Sequence, residues 1–163
     1  MPPLNPGLPF LLNLLAQAYD ERSWHGPNLR GSLRGVSAEG AAWRPGPARH
    51  NVHEIALHAA YWKYVVRRHL TGETRGSFPL KGSNWLSRPV TGTAAEWKET
   101  LELLSEVHES LAGTVAAFDV ARLAQTPARS RFSNLDMITG AAAHDLYHAG
   151  QIQLLKRLQA GPR

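Results

Sequence analysis

Residues 133–158, SNLDMITGAAAHDLYHAGQIQLLKRL, constrain this chain more than any other stretch. The pattern predicts one long helix. Ser133 stands at the N-cap position and Asp136 where a capping box places its acid. Lys156 and Arg157 fall where cations suit the negative end of the helix dipole. The apolar stripe runs Met137, Ala141, Ile152 and Leu155, with Leu135 and Ile138 beside it. Two histidines, His144 and His148, interrupt it. Four residues of helix turn through about 400°, so their imidazoles stand about 40° apart on one face. That spacing suits two ligands of one metal ion. It suits equally two hydrogen-bonded histidines at a seam between helices, and a third histidine is needed to decide.

The rest of the chain supplies partners for such a helix. Residues 1–6 are proline-rich and are expected to be loose. From residue 8 to about 22, Phe10, Leu11, Leu14, Leu15, Ala18 and Tyr19 predict an amphipathic helix, with Pro9 tolerated in its first turn. Gly26-Pro27 breaks it. Leu29, Leu33 and Val36 form a short continuation, and Ser37 caps one more turn. A second long helix starts at Asn51 with Glu54 as its box acid and stops at Gly72. Its inward stripe reads Ile55, His58, Ala59, Trp62, Val65, Val66, which puts His58 at an apolar position and leaves Lys63 largely outside. Thr93 and Glu96 open a third long helix, with Trp97, Leu101, Leu104, Val107, Leu111, Val115 and Phe118 on its stripe. Residues 73–92 are rich in Gly, Pro and Ser and form a connection too long for an ordinary bundle turn. Extended, it allows the helices on either side to run parallel. The expectation is an all-α single domain over residues 1–163: a four-helix bundle.

Composition narrows the function. At 163 residues the chain can bury about two thirds of its unfolded surface. No apolar run is long enough for a membrane span. The first residues lack a positive leader and a small-residue cleavage site, and a cytoplasmic location is expected. There are no cysteines, so any metal must be held by His, Asp or Glu. The net charge of +5 comes from scattered arginines with no basic run interleaved with aromatics, which argues against nucleic acid.

The remaining histidines, His25, His50, His53, His69 and His108, read as solvated or capping residues. The segment His53-Glu54-Ile55-Ala56-Leu57-His58 is HExxxH, not HExxH. Five residues turn a helix by about 500°, so His53 and His58 cannot share an ion, and a zinc-protease reading fails. Glu54 is a candidate base or orienting group for His58, and also simply the helix-start acid. The His144-Asp145 pair suggests HD-type phosphohydrolases, but no late Asp follows it.

Several features together are similar to a known family. They are Trp24-His25-Gly26, the 33–37 segment LRGVS, the Arg44-Pro45 loop, a helix with a central His58, Leu70-Thr71-Gly72, and the HDLYHAGQI stretch of residues 144–152. With them the chain resembles the DinB/YfiT-like superfamily of metalloenzymes along nearly its whole length. The resemblance implies a bundle of up-down-down-up order, with residues 73–92 as the crossover. It implies a divalent metal held by His58, His144 and His148, and commonly a homodimer. It gives no support for DNA binding. Some relatives transfer or isomerise low-molecular-weight thiols.

Three neutral imidazoles would leave an ion its charge and an open position, the layout of a catalytic site. Such an ion lowers the pKa of bound water to about 7 or stabilises a thiolate. Nitrogen ligands do not choose among zinc, nickel, iron and manganese. Gln151 is a candidate to hydrogen-bond near the site, Tyr147 to supply a hydroxyl, Gly150 to admit a neighbouring helix, and Trp62 to fill core. Arg44 and Arg88 are candidates to attract an anionic thiol. The functional expectation is a metal-dependent enzyme acting on a small molecule, of thiol S-transferase or hydrolase type. The alternative is a non-catalytic, metal-binding or stress-related binding module.

Overall fold

The computed structural model describes residues 7–76, 78–86, 90–128 and 130–161. Six α-helices form: α1 (Leu8–Tyr19), α2 (Leu29–Leu33), α3 (Ala38–Ala42), α4 (Val52–Thr71), α5 (Ala94–Ala116) and α6 (Asn134–Ala160). A 3-10 turn at Val120–Arg122 precedes α6, and no strand occurs among the described residues. Four helices are long, and the fold is all-α. The proline-rich residues 1–6 lie outside the described residues.

The sequence signals act locally as physical caps. Asn51 Oδ1 accepts from the Glu54 amide at 2.8 Å while Glu54 returns a bond to the Asn51 amide, closing a capping box on α4. Gly72 ends α4 with φ of 75°, a left-handed conformation that costs glycine nothing. Thr93 caps α5, but buried Glu96 closes no reciprocal box and accepts instead from the Thr91 amide and hydroxyl. Ser133 and Asp136 close a second full box, with bonds of 2.9 and 3.1 Å. Ser133→Ala therefore removes one satisfied amide at the head of the longest helix. It is expected to cost about 1 kcal/mol, read as a lower urea midpoint at unchanged slope.

Helix α1 ends at Tyr19, about a turn before the expected end near residue 22. The Glu21 carbonyl accepts instead from the Asn28 side chain at 2.7 Å, and Asp20 pairs with Arg30 at 3.3 Å. These bonds draw the chain across to α2.

The apolar stripes meet in two clusters. One gathers Tyr19, Leu29, Leu33, Val52, Ile55, Trp97, Leu104, Ile152 and Leu155. The other gathers Leu11, Leu15, Val66, Leu70, Leu111, Val115, Ile138 and Ala142. Helix α4 packs on both α5 and α6, and α1 packs on both α6 and α5. Being covered on two sides, α4 is buried over far more than one stripe. Lys63, expected largely outside, is 1% exposed. His53 and His108, expected to be solvated or capping, are buried as well.

Candidate metal centre

The site lies on the seam between α4 and α6. His58 comes from the middle of α4, and His144 and His148 stand one turn apart on α6. His58 Nε2 is 3.1 Å from His144 Nε2, and His148 Nε2 is 3.0 Å from the same atom. The three ligand atoms all lie within 4.8 Å of one another. Two nitrogens bound to one ion at about 2.1 Å stand about 3.0 Å apart at a right angle and about 3.4 Å apart at the tetrahedral angle. The two spacings to His144 are thus already those of ligands to one ion.

Protons alone do not satisfy this cluster. His58 Nδ1 faces the Asn84 carbonyl at 3.2 Å, which only an N–H can satisfy. His148 Nδ1 likewise faces Gln151 Oε1 at 2.7 Å. A neutral imidazole has one proton, so the Nε2 atoms of both rings are bare lone pairs. Both point at His144 Nε2, which has at most one N–H to give. One N–H cannot be aimed at both, so at least one of the two short contacts is left without a hydrogen bond. A cation shared by the three nitrogens removes that conflict, so the residues present fit a metal.

The loop and the surrounding aromatics hold the rings. Asn84, with φ of 58°, uses its backbone oxygen on His58 and its side-chain oxygen on Trp62 Nε1 at 2.9 Å. Trp85 stacks between His58 and His50, with centroids 3.8 and 3.6 Å apart. Trp62, expected in the core, is 38% exposed and turns its edge to His58 and His144. It is a wall of the site because its indole N–H reaches out to the loop. Tyr147 is exposed and lies edge-on to His148. Among the described residues nothing lies within 4 Å of where a Gly150 Cβ would be, so no neighbouring helix among them approaches it.

Glu54 does not touch the triad. Besides its capping bonds it pairs with Arg44 and lies 3.0 Å from His50 Nδ1. Burial pushes its carboxyl up, but the bonds from Arg44, His50 and Asn51 outweigh this and hold it below the usual range. It is the helix-start acid and is committed as an anion. Arg44 is neutralised in the same contact, and Arg88 lies outside the described residues.

The electrostatics keep the rings ready to ligate. Burial lowers His58 to about 4, against an opposing bond from Asn84. Burial and the two neighbouring rings lower His144 to about 3, and burial also lowers His148. His108, buried beside Lys63, falls to about 3. Unfolded histidines titrate near 6.5, so below that pH the unfolded chain binds protons that the folded chain refuses. The metal-free protein is expected to be fully stable above pH 6.5 and to lose stability steadily as pH falls from there toward 3. Urea midpoints at pH 7.5, 6 and 5 check this, and a flat profile would contradict neutral, buried rings.

A sequence model of the DinB superfamily matches residues 21–152, a span that contains all three histidines. The chain belongs to the DinB superfamily. No curated protein and no solved structure matches it. Membership agrees with the resemblance seen in the HDLYHAGQI stretch. It also gives this DinB-superfamily chain a context in which a buried three-histidine cluster is compatible with a divalent metal.

Behind the triad lies a polar group that the stripe pattern missed. Lys63 Nζ pairs with Asp145 Oδ2, lies 3.2 Å from His108 Nδ1, and sits 4.9 Å from the centre of the Tyr19 ring. Tyr19 stacks on His108 at 3.8 Å. Burial pushes the Asp145 carboxyl up, with Lys63 pulling it back. His53 is held separately, its Nε2 2.8 Å from Thr100 Oγ1. The one sequence signal for Asp145 was its place beside His144. Lys63 and His108 carried none that set them apart from surface residues.

Proposed function

We propose that His58, His144 and His148 hold one divalent cation, and that the protein is a metal-dependent enzyme acting on a small molecule. The reaction class is thiol S-transfer or hydrolysis, with a low-molecular-weight thiol as the candidate co-substrate. The observation that carries this reading is the cluster of three imidazole nitrogens whose protons cannot satisfy one another. A bound divalent cation supplies Lewis acidity, which lowers the pKa of a water or thiol presented to it. The chain's own part is to present the lone pairs. The Asn84 carbonyl and Gln151 hold the Nδ1 protons of His58 and His148, which aims both Nε2 atoms inward. Trp62 and Trp85 wall the site and shield it from water. Zinc, nickel, iron and manganese all suit such a nitrogen set.

The helices are read as an up-down-down-up bundle in a single domain. Support comes from the residues shared in the two clusters. Early α4 and early α5 residues meet late α6 residues in one, while late α4 and late α5 residues meet early α1 and early α6 residues in the other. The segment 73–92 is then the crossover between parallel α4 and α5. A homodimer and a cytoplasmic location, as the family resemblance and the lack of cysteines suggest, complete the reading. No helix among the described residues is long and apolar enough to cross a membrane.

The second reading is a binding module that keeps its metal without turnover. What favours it is that no free acid or base stands beside the triad among the described residues, since Glu54 is committed to Arg44 and His50. The deciding experiment pairs the metal-loaded protein with a panel of small thiols, alkylating electrophiles and ester substrates, with and without chelator. Turnover that vanishes on chelation and in His58→Ala is expected. Retained metal with no turnover across the panel would establish the module instead.

A further inference from the structure

Each of the three candidate ligands must be held in place, and His144 is held differently from the other two. The Nδ1 of His58 is fixed by Asn84 and that of His148 by Gln151. Among the described residues none accepts from His144 Nδ1. Yet His144 is the ring whose Nε2 meets both others. Its position rests on ring contacts such as the edge of Trp62 and on where α6 sets its backbone.

The next residue, Asp145, is anchored across the bundle. It is 0% exposed and paired with Lys63, itself 1% exposed, which comes from the other ligand-bearing helix. Lys63 also meets His108 of α5 and lies over Tyr19 of α1. One buried node therefore draws a side chain from each of the four long helices, directly behind the histidines. Among the described residues no group bonds Asp145 Oδ1, so the pair leaves one carboxylate oxygen without a protein partner there. Well-packed apolar residues commonly replace such a pair without loss of stability. Stability alone thus gives no account of the pair, and geometry supplies a role for it.

We propose that Lys63 and Asp145 are positioning residues for the metal centre, fixing α6 against α4 so that His144 stays at ligand distance from His58. The pair replaces the hydrogen bond that His144 lacks. This rests on the metal reading above.

The test uses the apo protein and Co(II), whose visible absorption reports coordination without any need for activity. Three proteins are compared: the wild type, the isosteric Asp145→Asn, and the double variant Lys63→Met with Asp145→Leu. Urea unfolding is run on each. The double variant is expected to fold with a midpoint near that of the wild type. Its Co(II) affinity is expected to fall about 10- to 100-fold, the range for lost outer-shell support, with a shifted absorption band. Asp145→Asn keeps the shape and a hydrogen-bond acceptor and is expected to fall between the two. Should the double variant not fold, Asp145→Asn against wild type makes the same comparison. Wild-type Co(II) affinity and spectrum in a folded variant would overturn the positioning role and leave the metal site standing. A wild-type protein that binds no Co(II) would overturn the metal reading and this inference with it.

Discussion

His144→Ala is expected to abolish tight metal binding. His144 Nε2 is the common partner of the two other rings, at 3.1 and 3.0 Å. Its loss leaves two nitrogens on different helices with no bridge between them. Outer-shell changes alone cost about 10- to 100-fold in affinity, so removing a ligand should cost at least about 100-fold. Metal content of the purified protein, measured by elemental analysis, should drop from about one ion per chain to background. The fold should survive, because His144 is only half-buried and alanine suits a helix interior. Apo His144→Ala is even expected to match or exceed the apo wild type in stability, since the mutation removes a pair of contacts that one proton cannot satisfy. Equal metal content in mutant and wild type would take His144 out of the site.

Asp145→Ala is expected to have the largest effect on stability. It strands the Lys63 ammonium, 1% exposed, in a core that offers it His108 Nδ1 and the face of Tyr19 and, among the described residues, no other ion-pair partner. Breaking a buried pair from one side costs about 3–5 kcal/mol. The whole stability of a domain is about 5–15 kcal/mol. The variant should therefore lose about a fifth or more of its stability, read as a lower urea midpoint, or fail to accumulate as folded protein. Removing both partners together should cost far less, because no charge is then left unpaired. A loss below about 1 kcal/mol in Asp145→Ala would show that water reaches Lys63.

What the sequence made legible follows from one-sided packing. Helix α6 carries its ligands four residues apart on one face, so periodicity alone brought His144 and His148 together. His58 stood out because it interrupts an apolar stripe. The caps at Asn51 and Ser133 were readable because each is a local bond three residues long. The same stripe logic failed where a helix is covered on two sides. Helix α4 faces α5 as well as α6, so Lys63 and His53, off the main stripe, are buried in a second interface. His108 lies on the α5 side of that interface, stacked on Tyr19. Asn84 and Trp85 were not legible at all. They act from an irregular connection where no period exists, and only the folded backbone brings the Asn84 carbonyl to His58.

The central claim is that His58, His144 and His148 bind one cation together. X-ray absorption on the purified, metal-loaded protein tests it most directly. The account predicts three imidazole nitrogens at about 2.0–2.1 Å, with the outer-shell scattering of three rings, and one such scatterer fewer in His58→Ala. A metal whose shell contains no imidazole, or an unchanged spectrum in His58→Ala, would contradict it.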